Sequence, residues 1–381
     1  MKVAIVHFWL FHMRGGERVV EGLCELFPDA DIYTHVYDAR GVTPTISRHR
    51  VRTTFISRLP FARRLYKLYL PLMPLALRLL DLEGYDLIVS SEAGPAKGVR
   101  KARGAVHLCY CHTPMRYVWG MQDDYVAQVP RGLQWLARLI LRAMRSWDIA
   151  SARGVDQFVA NSREVASRIQ RIYGKTAEVV HPPVDVKRFA GTGSTSDGEA
   201  FYLVVGHLVG YKRVDLAVDA CTRLGRRLIV IGTGEKAHDL KRRAGPTISF
   251  LGWQSDEVIA EHYARCSALL FPGLEDFGMV PVEAMAAGKP VIAYAKGGAL
   301  ETVEDGVTGT LFTEQTVECL SDAIIAFERH RDDFNADQLK RHAAKFSREE
   351  FLTRMRRIFD RLQQVPQVTG RRARTSSTPA T

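Results

Sequence analysis

The sequence predicts an α/β protein built from two similar units, each a parallel sheet covered by helices on both faces. Three observations carry that reading. Short, nearly continuous apolar strands alternate with helix-length segments along the chain, as strands buried on both faces of a parallel sheet do. The alternation starts twice, near residue 2 and again at residue 201. Between the two runs lies GTGSTSDGE, residues 191–199, the most linker-like stretch of the chain. A length of 381 residues also exceeds what one core usually holds.

The first unit, residues 1–189, opens with a strand at 2–7. Gly15 and Gly16 read as a tight turn, and a helix follows from Glu17 as ERVVEGLCELF. Further strands are expected in DIYTHVY (31–37), DLIVSS (86–91), AVHLCYC (105–111) and QFVANS (157–162). A linker at 190–199 leads to the second unit, residues 200–345. Its strands are FYLVVG (201–206), RLIVIG (227–232), TISFLG (247–252), ALLFPG (268–273) and PVIAYA (290–295). Helices fill the intervals, among them VDLAVDACTRLG after Arg213 and SDEVIAEHYARC at 255–266. An amphipathic helix is expected within 346–365, and the polar, arginine-containing tail 366–381 reads as disordered.

Composition narrows the partners. Hydrophobic residues make up 46% of the chain, no apolar run reaches membrane-spanning length, and Met1 leads straight into a strand. The expectation is a protein on the cytoplasmic side. Six cysteines are scattered, and the one close pair, Cys109 and Cys111, is read as facing opposite sides of a strand, so neither a disulfide scaffold nor a zinc site is expected. The formal net charge of +11 comes without a finger, a helix-turn-helix or an aromatic–basic repeat, which argues against nucleic acid. The basic excess is local. Residues 58–80 and 131–145 mix arginines with Leu, Phe, Tyr, Met and Trp and carry no acid. That mixture suits an anionic membrane surface; the alternative is a pair of ordinary helices with a basic solvent face. Pro71 and Pro74 preclude one straight helix in the first stretch.

The residues suited to chemistry sit where strands end. Lys212 and Arg213 follow the strand 201–206 and precede a helix, where two cations oppose the helix dipole. A bound diphosphate would explain them, a solvated basic pair being the plain alternative. Glu275 and Glu283 flank Gly278, Met279 and Val280 in EDFGMVPVEAMAAGKPVIA. Pro281 is expected to open a helix with Glu283 in its first turn. A carboxylate accepts two hydrogen bonds from adjacent hydroxyls, as a ribose or hexose diol supplies them. His112 closes the strand before TPMRYVW and is expected to point toward the ligand. Asp123–Asp124 and Asp332–Asp333 lack a phosphate loop beside them, so no metal is expected.

These segments together resemble the retaining GT-B glycosyltransferases of family 4, nearest to bacterial mannosyltransferases of O-antigen, capsule and exopolysaccharide synthesis. The resemblance rests on Glu275 and Glu283 at their spacing, GHLVGYK from Gly206, FVANS, the Gly15–Gly16 pair, YCHTPMRYVW and GGALETV from Gly297, and it covers about residues 1–360. It implies two Rossmann-like domains, with the terminal helix crossing back to the first. It also implies that Lys212 contacts the donor diphosphate, Glu283 the nucleoside ribose and Glu275 the donor hexose. Gly16 would lie against the pyrophosphate, and His112 would touch the transferred sugar. The family commonly has arginine where this chain has His207; Arg213 either supplies that charge or phosphate binding becomes weaker and pH-sensitive. The donor implied is GDP-mannose, with a UDP-hexose second, and no other cofactor. The acceptor implied is a saccharide on a polyprenyl diphosphate, at the inner face of the cytoplasmic membrane. A sugar-nucleotide epimerase and a non-catalytic membrane scaffold are the competing classes.

Overall fold

A computed structural model describes residues 1–120, 122–127, 129–190 and 200–364. The stretch 191–199, read as linker, and the tail 366–381 lie outside the described residues. The first sheet contains β1 (Val3–Leu10), β2 (Asp31–Tyr37), β3 (Val51–Thr53), β4 (Leu87–Glu92), β5 (Val106–Cys111), β6 (Gln157–Ala160) and β7 (Ala177–Val179). Its order is β3-β2-β1-β4-β5-β6-β7. The second contains β8 (Tyr202–Val205), β9 (Leu228–Ile231), β10 (Ile248–Gly252), β11 (Ala268–Phe271), β12 (Val291–Tyr294) and β13 (Gly309–Phe312), ordered β10-β9-β8-β11-β12-β13. Every strand pair in both sheets is parallel. This is the two-domain α/β architecture of GT-B proteins.

The strands read as apolar runs because both faces are buried. Val3 and Ile5 point into a core with Val19, Val20 and Leu23, whereas Ala4 and Val6 point into another with Leu77 and Tyr85. The second sheet repeats the device, with Leu203 and Leu269 on one side and Tyr202, Val204 and Leu270 on the other. Three short strands escape the sequence reading. β3 and β7 are edge strands of three residues with exposed or half-buried positions, and β13 buries only its two ends. Cys109 and Cys111 correct the expectation of opposite faces. They are two positions apart, the repeat of a strand, and both lie buried in one cluster with Ala152 and Phe158.

The stretch 58–80 is broken, as its prolines require, into short turns of helix including Ala62–Leu65 and Met73–Arg78. The second basic stretch falls in the helix Gln134–Ala152, which buries only Met144, Asp148 and Ala152. The last helix, Arg348–Gln364, follows the second domain in sequence but packs on the first. Phe351, Met355, Ile358 and Phe359 join the core of Val3, Ile5 and Leu23. Gly22 makes room for it: a Cβ there would stand 2.7 Å from the Phe351 ring.

Phe351 is 1% exposed. Replacing it with alanine should cost about 3–5 kcal/mol and lower the thermal midpoint, whereas Leu300→Ala on the surface should change little. Scanning calorimetry of the two variants distinguishes them; equal midpoints would show that the last helix contributes no stability.

Candidate active site

Both sheets reverse strand direction of growth at the same kind of place, between β1 and β4 in one and between β8 and β11 in the other. Open α/β sheets bind ligands beyond the carboxyl ends of the strands at such a point. Lys212 follows β8 and Glu275 follows β11, so the loops carrying them emerge side by side. A Cβ on Gly273 would lie 2.7 Å from the Lys212 Cα, and the two loops touch because glycine stands there. Lys212 Nζ is 2.9 Å from Glu275 Oε1, with the side chains 17% and 19% exposed. Burial works against the ammonium, but Glu275 outweighs it and holds the Lys212 pKa above its ordinary value. The lysine is therefore charged at neutral pH.

Glu283 sits elsewhere than expected in its helix. Gly278, at φ +85°, turns the chain in a left-handed conformation that suits glycine, and the helix runs Met279–Ala286. Pro281 is thus its third residue, tolerated where backbone N–H groups have no helical acceptor, and Glu283 its fifth, beyond the first turn. Its carboxylate accepts a hydrogen bond from the Tyr263 hydroxyl at 3.0 Å, and burial pushes its pKa up.

Gly15 and Gly16 are also corrected. They are the first two residues of the helix Gly15–Leu26 rather than a turn before it. Glu17 explains the early start, because its carboxylate accepts the Arg14 backbone N–H at 3.0 Å and caps the helix. A Cβ on Gly15 would lie 3.1 Å from the Met279 sulfur. The Met279 side chain, from the first residue of its helix, therefore reaches across to the start of the Gly15 helix, and a helix start in either domain favours an anion.

Arg213 has a counter-charge of its own. It adopts a left-handed conformation, φ +48°, and its guanidinium holds the Asp215 carboxylate through contacts of 3.1–3.2 Å. Asp215, in the first turn of the helix Val214–Leu224, offsets the cation at the positive helix end. The dipole argument for a bound anion at Arg213 therefore fails. His207 is exposed, and its Nδ1–H donates to the Thr233 carbonyl at 2.6 Å. Burial, only partly opposed by that hydrogen bond, sets its pKa below the ordinary value.

Strand register assembles the first-domain side. His7 pairs with Ser91 across β1 and β4, and His112 follows the end of β5. The Ser91 hydroxyl lies 2.8 Å from His112 Nε2 and 3.0 Å from His7 Nδ1, and His7 Nε2 is 3.9 Å from Glu17. Burial, with His7 adding to it, depresses the His112 pKa to about 3, so its ring is neutral. Gly16 packs beside both histidines. His107, by contrast, is a core histidine satisfied by Ser90 and the Gly154 carbonyl.

Several site residues gain their role only from partners distant in sequence. Asp276, beside Glu275, receives Arg116 and Arg168 from the first domain. Glu301, in GGALETV, accepts the backbone N–H of Arg163 at 2.7 Å and lies 3.2 Å from His181. Ser91 becomes visible only once the register is known. Among the described residues no group of three His, Cys, Asp or Glu is arranged to hold a metal ion.

Residues 13–188 match the family model "Glycosyltransferase Family 4", and residues 188–347 the model "Glycosyl transferases group 1". An uncharacterized glycosyltransferase of Methanocaldococcus jannaschii is 28% identical over 214 residues, 54% of this chain and 60% of that protein. A D-inositol 3-phosphate glycosyltransferase of Geodermatophilus obscurus is 32% identical over 223 residues, covering 50% of this chain and 49% of its own length. The chain thus spans about half to three fifths of the curated relatives it matches. Among solved structures, Anabaena HepE in complex with UDP superposes with a TM-score of 0.70 at 18% identity, over 95% of this chain and all of that one. Sucrose-phosphate synthase from Thermosynechococcus elongatus gives 0.72 at 18% identity, over 95% of this chain and 99% of that one. With a family 4 domain ahead of a group 1 domain on this fold, the chain belongs to the GT-B glycosyltransferases of family 4.

Proposed function

We propose that this protein transfers a hexose from a nucleoside-diphosphate sugar to a lipid-linked saccharide, with retention of anomeric configuration. The observation that carries the proposal is the Lys212–Glu275 pair, with the starts of the Gly15 and Met279 helices bridged nearby by the Met279 side chain. A cation and two dipole ends suit a diphosphate, and a carboxylate within 3 Å of that cation suits the adjoining sugar hydroxyls. In this reading Lys212 leaves Glu275 for the diphosphate and stabilises charge as the glycosidic bond breaks. Glu275 then accepts from the hexose, Glu283 from the ribose, and neutral His112 borders the transferred sugar. The acceptor hydroxyl attacks the face the diphosphate leaves, and a diphosphate oxygen takes its proton. No metal is required in this scheme.

GDP-mannose is the first donor choice, on the sequence resemblance. A UDP-hexose is the second, favoured by neighbours solved with UDP and with UDP-glucose. Closure of the two domains over the donor would exclude water. The acceptor end is proposed to lie at an anionic membrane surface, on the cytoplasmic side. Phe61, Leu68 and Leu79 are 72%, 71% and 66% exposed, and Trp135 and Leu139 are 65% and 56% exposed. Arg58, Arg63, Arg64, Arg138 and Arg142 are exposed in the same stretches. Apolar side chains that a solvent-facing helix would turn inward are outward here, with cations among them. No described helix is long and apolar enough to cross a membrane.

Glu275→Ala should reduce transfer by at least about 100-fold while the fold persists; full activity in that variant would remove Glu275 from the site. A panel of GDP-mannose, UDP-glucose and UDP-galactose, with products read on a lipid-linked oligosaccharide pool, tests donor and class together. Product from GDP-mannose is the expected result; product from UDP-glucose alone would reassign the donor, and an altered sugar still attached to its nucleotide would indicate an epimerase.

His207 gives a pH test. Its Nδ1–H is committed to Thr233, so the neutral ring presents a lone pair at Nε2 and the protonated ring an N–H. Its depressed pKa keeps the ring neutral at pH 7, with His12, Arg14, Lys67 and Lys212 in its surroundings. Donor affinity should therefore tighten as pH falls below the ordinary histidine range, and His207→Arg should be tight and nearly flat over the same titration. Calorimetric titration with the donor checks this; the same slope in both proteins would place the dependence elsewhere.

Vesicles containing anionic lipid should retain the protein, less so at high salt, and Trp135→Ser with Leu139→Ser should weaken retention by about tenfold or more. Co-sedimentation measures this, and equal retention by neutral vesicles would remove the arginines from the interaction.

A further inference from the structure

Asp276 lies between the domains and is 6% exposed. Its Oδ2 accepts Arg116 Nη2 at 2.5 Å and Arg116 Nε at 3.2 Å. Its Oδ1 accepts Arg168 Nη1 at 2.5 Å. Both arginines belong to the first domain, and both are braced. Arg168 Nε donates to Glu164 at 3.0 Å and its Nη1 lies 3.4 Å from the Thr113 hydroxyl. The Arg116 guanidinium stands 4.8 Å over the ring of Tyr211.

The neighbours in sequence give this cluster its meaning. Asp276 follows Glu275, Tyr211 precedes Lys212, and Arg116 lies four residues after His112. One first-domain side chain therefore touches both loops that bear the donor-site pair, and it sits on the loop that bears His112. The contact is also close to all-or-none. A carboxylate this buried is tolerated when two guanidinium groups hold it, and losing them strands a charge out of water. Separation of the domains would instead release all three groups to solvent together, so the intermediate arrangements are the costly ones.

From this geometry we infer that Asp276 is a positioning residue: gripped by Arg116 and Arg168, it couples closure of the two domains to the alignment of Glu275 and Lys212 against His112. The inference rests on the glycosyl-transfer reading above and adds to it the groups that sense closure. In the reading above Lys212, Glu275 and Glu283 hold the donor from the second domain and the first adds the helix end at Gly15, so losing the coupling should affect turnover more than donor affinity. It should also admit water, diverting donor from transfer to hydrolysis.

Asp276→Asn keeps the shape and removes the charge. The expected result is a fall in kcat of about 10–100-fold, with donor KM changed less than about threefold and a larger share of donor lost to water. Small-angle scattering without ligand should show a larger radius of gyration than the parent protein. Combining Asp276→Asn with Arg116→Gln should cost no more than about twofold beyond the worse single variant, because both remove one contact. Arg116→Gln alone, at the half-buried end of the contact, serves if the aspartate variant does not fold. Unchanged kcat and radius in a folded variant, a loss confined to donor KM, or additive losses in the double variant would each overturn the inference. The radius needs no donor, and titration of the parent protein with UDP and with GDP tests the nucleotide site separately. Failure to bind either nucleotide sinks the functional reading while the scattering result stands or falls alone.

Discussion

Lys212 and Glu275 can occupy their largely buried positions because each supplies the other's counter-charge at 2.9 Å. Stripped of that partner, either would be a charge withdrawn from water with little to replace the lost hydration. The constraint reaches outward from there. It requires two loops from adjacent strands to touch, which requires glycine at Gly273, and it requires β8 and β11 to be neighbours at the reversal of strand order. It also selects ligands. Whatever separates the pair must offer an anion to the lysine and hydrogen-bond donors to the glutamate within a few ångströms of each other. A sugar diphosphate does so; a simple anion or a neutral sugar supplies one half.

The two sides of the site differ in electrostatic character. The second domain presents a charged lysine, whereas the first presents a neutral His112. His112 is held so by burial and by His7 nearby, and Ser91 bridges the two rings with a single hydroxyl proton that can serve only one of them as donor. A neutral imidazole on the opposite side can exchange hydrogen bonds with hydroxyls without competing for the phosphates.

Much of this was legible before any coordinates, for a physical reason. Strands buried on both faces must be continuously apolar, so β1, β2, β4, β5, β6, β8, β9, β11 and β12 stand out, while β10 shows instead as a half-buried edge strand. Residues just past their ends, such as Lys212, Glu275 and His112, are marked by position. The rest is hidden by short length or long range. β3, β7 and β13 are too brief and too exposed to show a pattern. The helix start at Gly15 runs against glycine's low helix propensity and depends on the Glu17 cap. At Arg213 a neighbouring aspartate, two residues on, relieves the charge that the dipole opposes, so the dipole alone does not mark an anion there. Asp276 finds its partners 160 and 108 residues away, a pairing no local signal announces.

The last helix has a consequence for how the chain is made. Phe351, Met355, Ile358 and Phe359 complete a core whose other members come from residues 3–180. During synthesis the second domain emerges with everything it needs, but the first waits with an apolar face uncovered until the helix Arg348–Gln364 leaves the ribosome. The half translated first is therefore the half finished last. Chains cut short before residue 351 would carry that uncovered face, and with it a surface for aggregation and for chaperones.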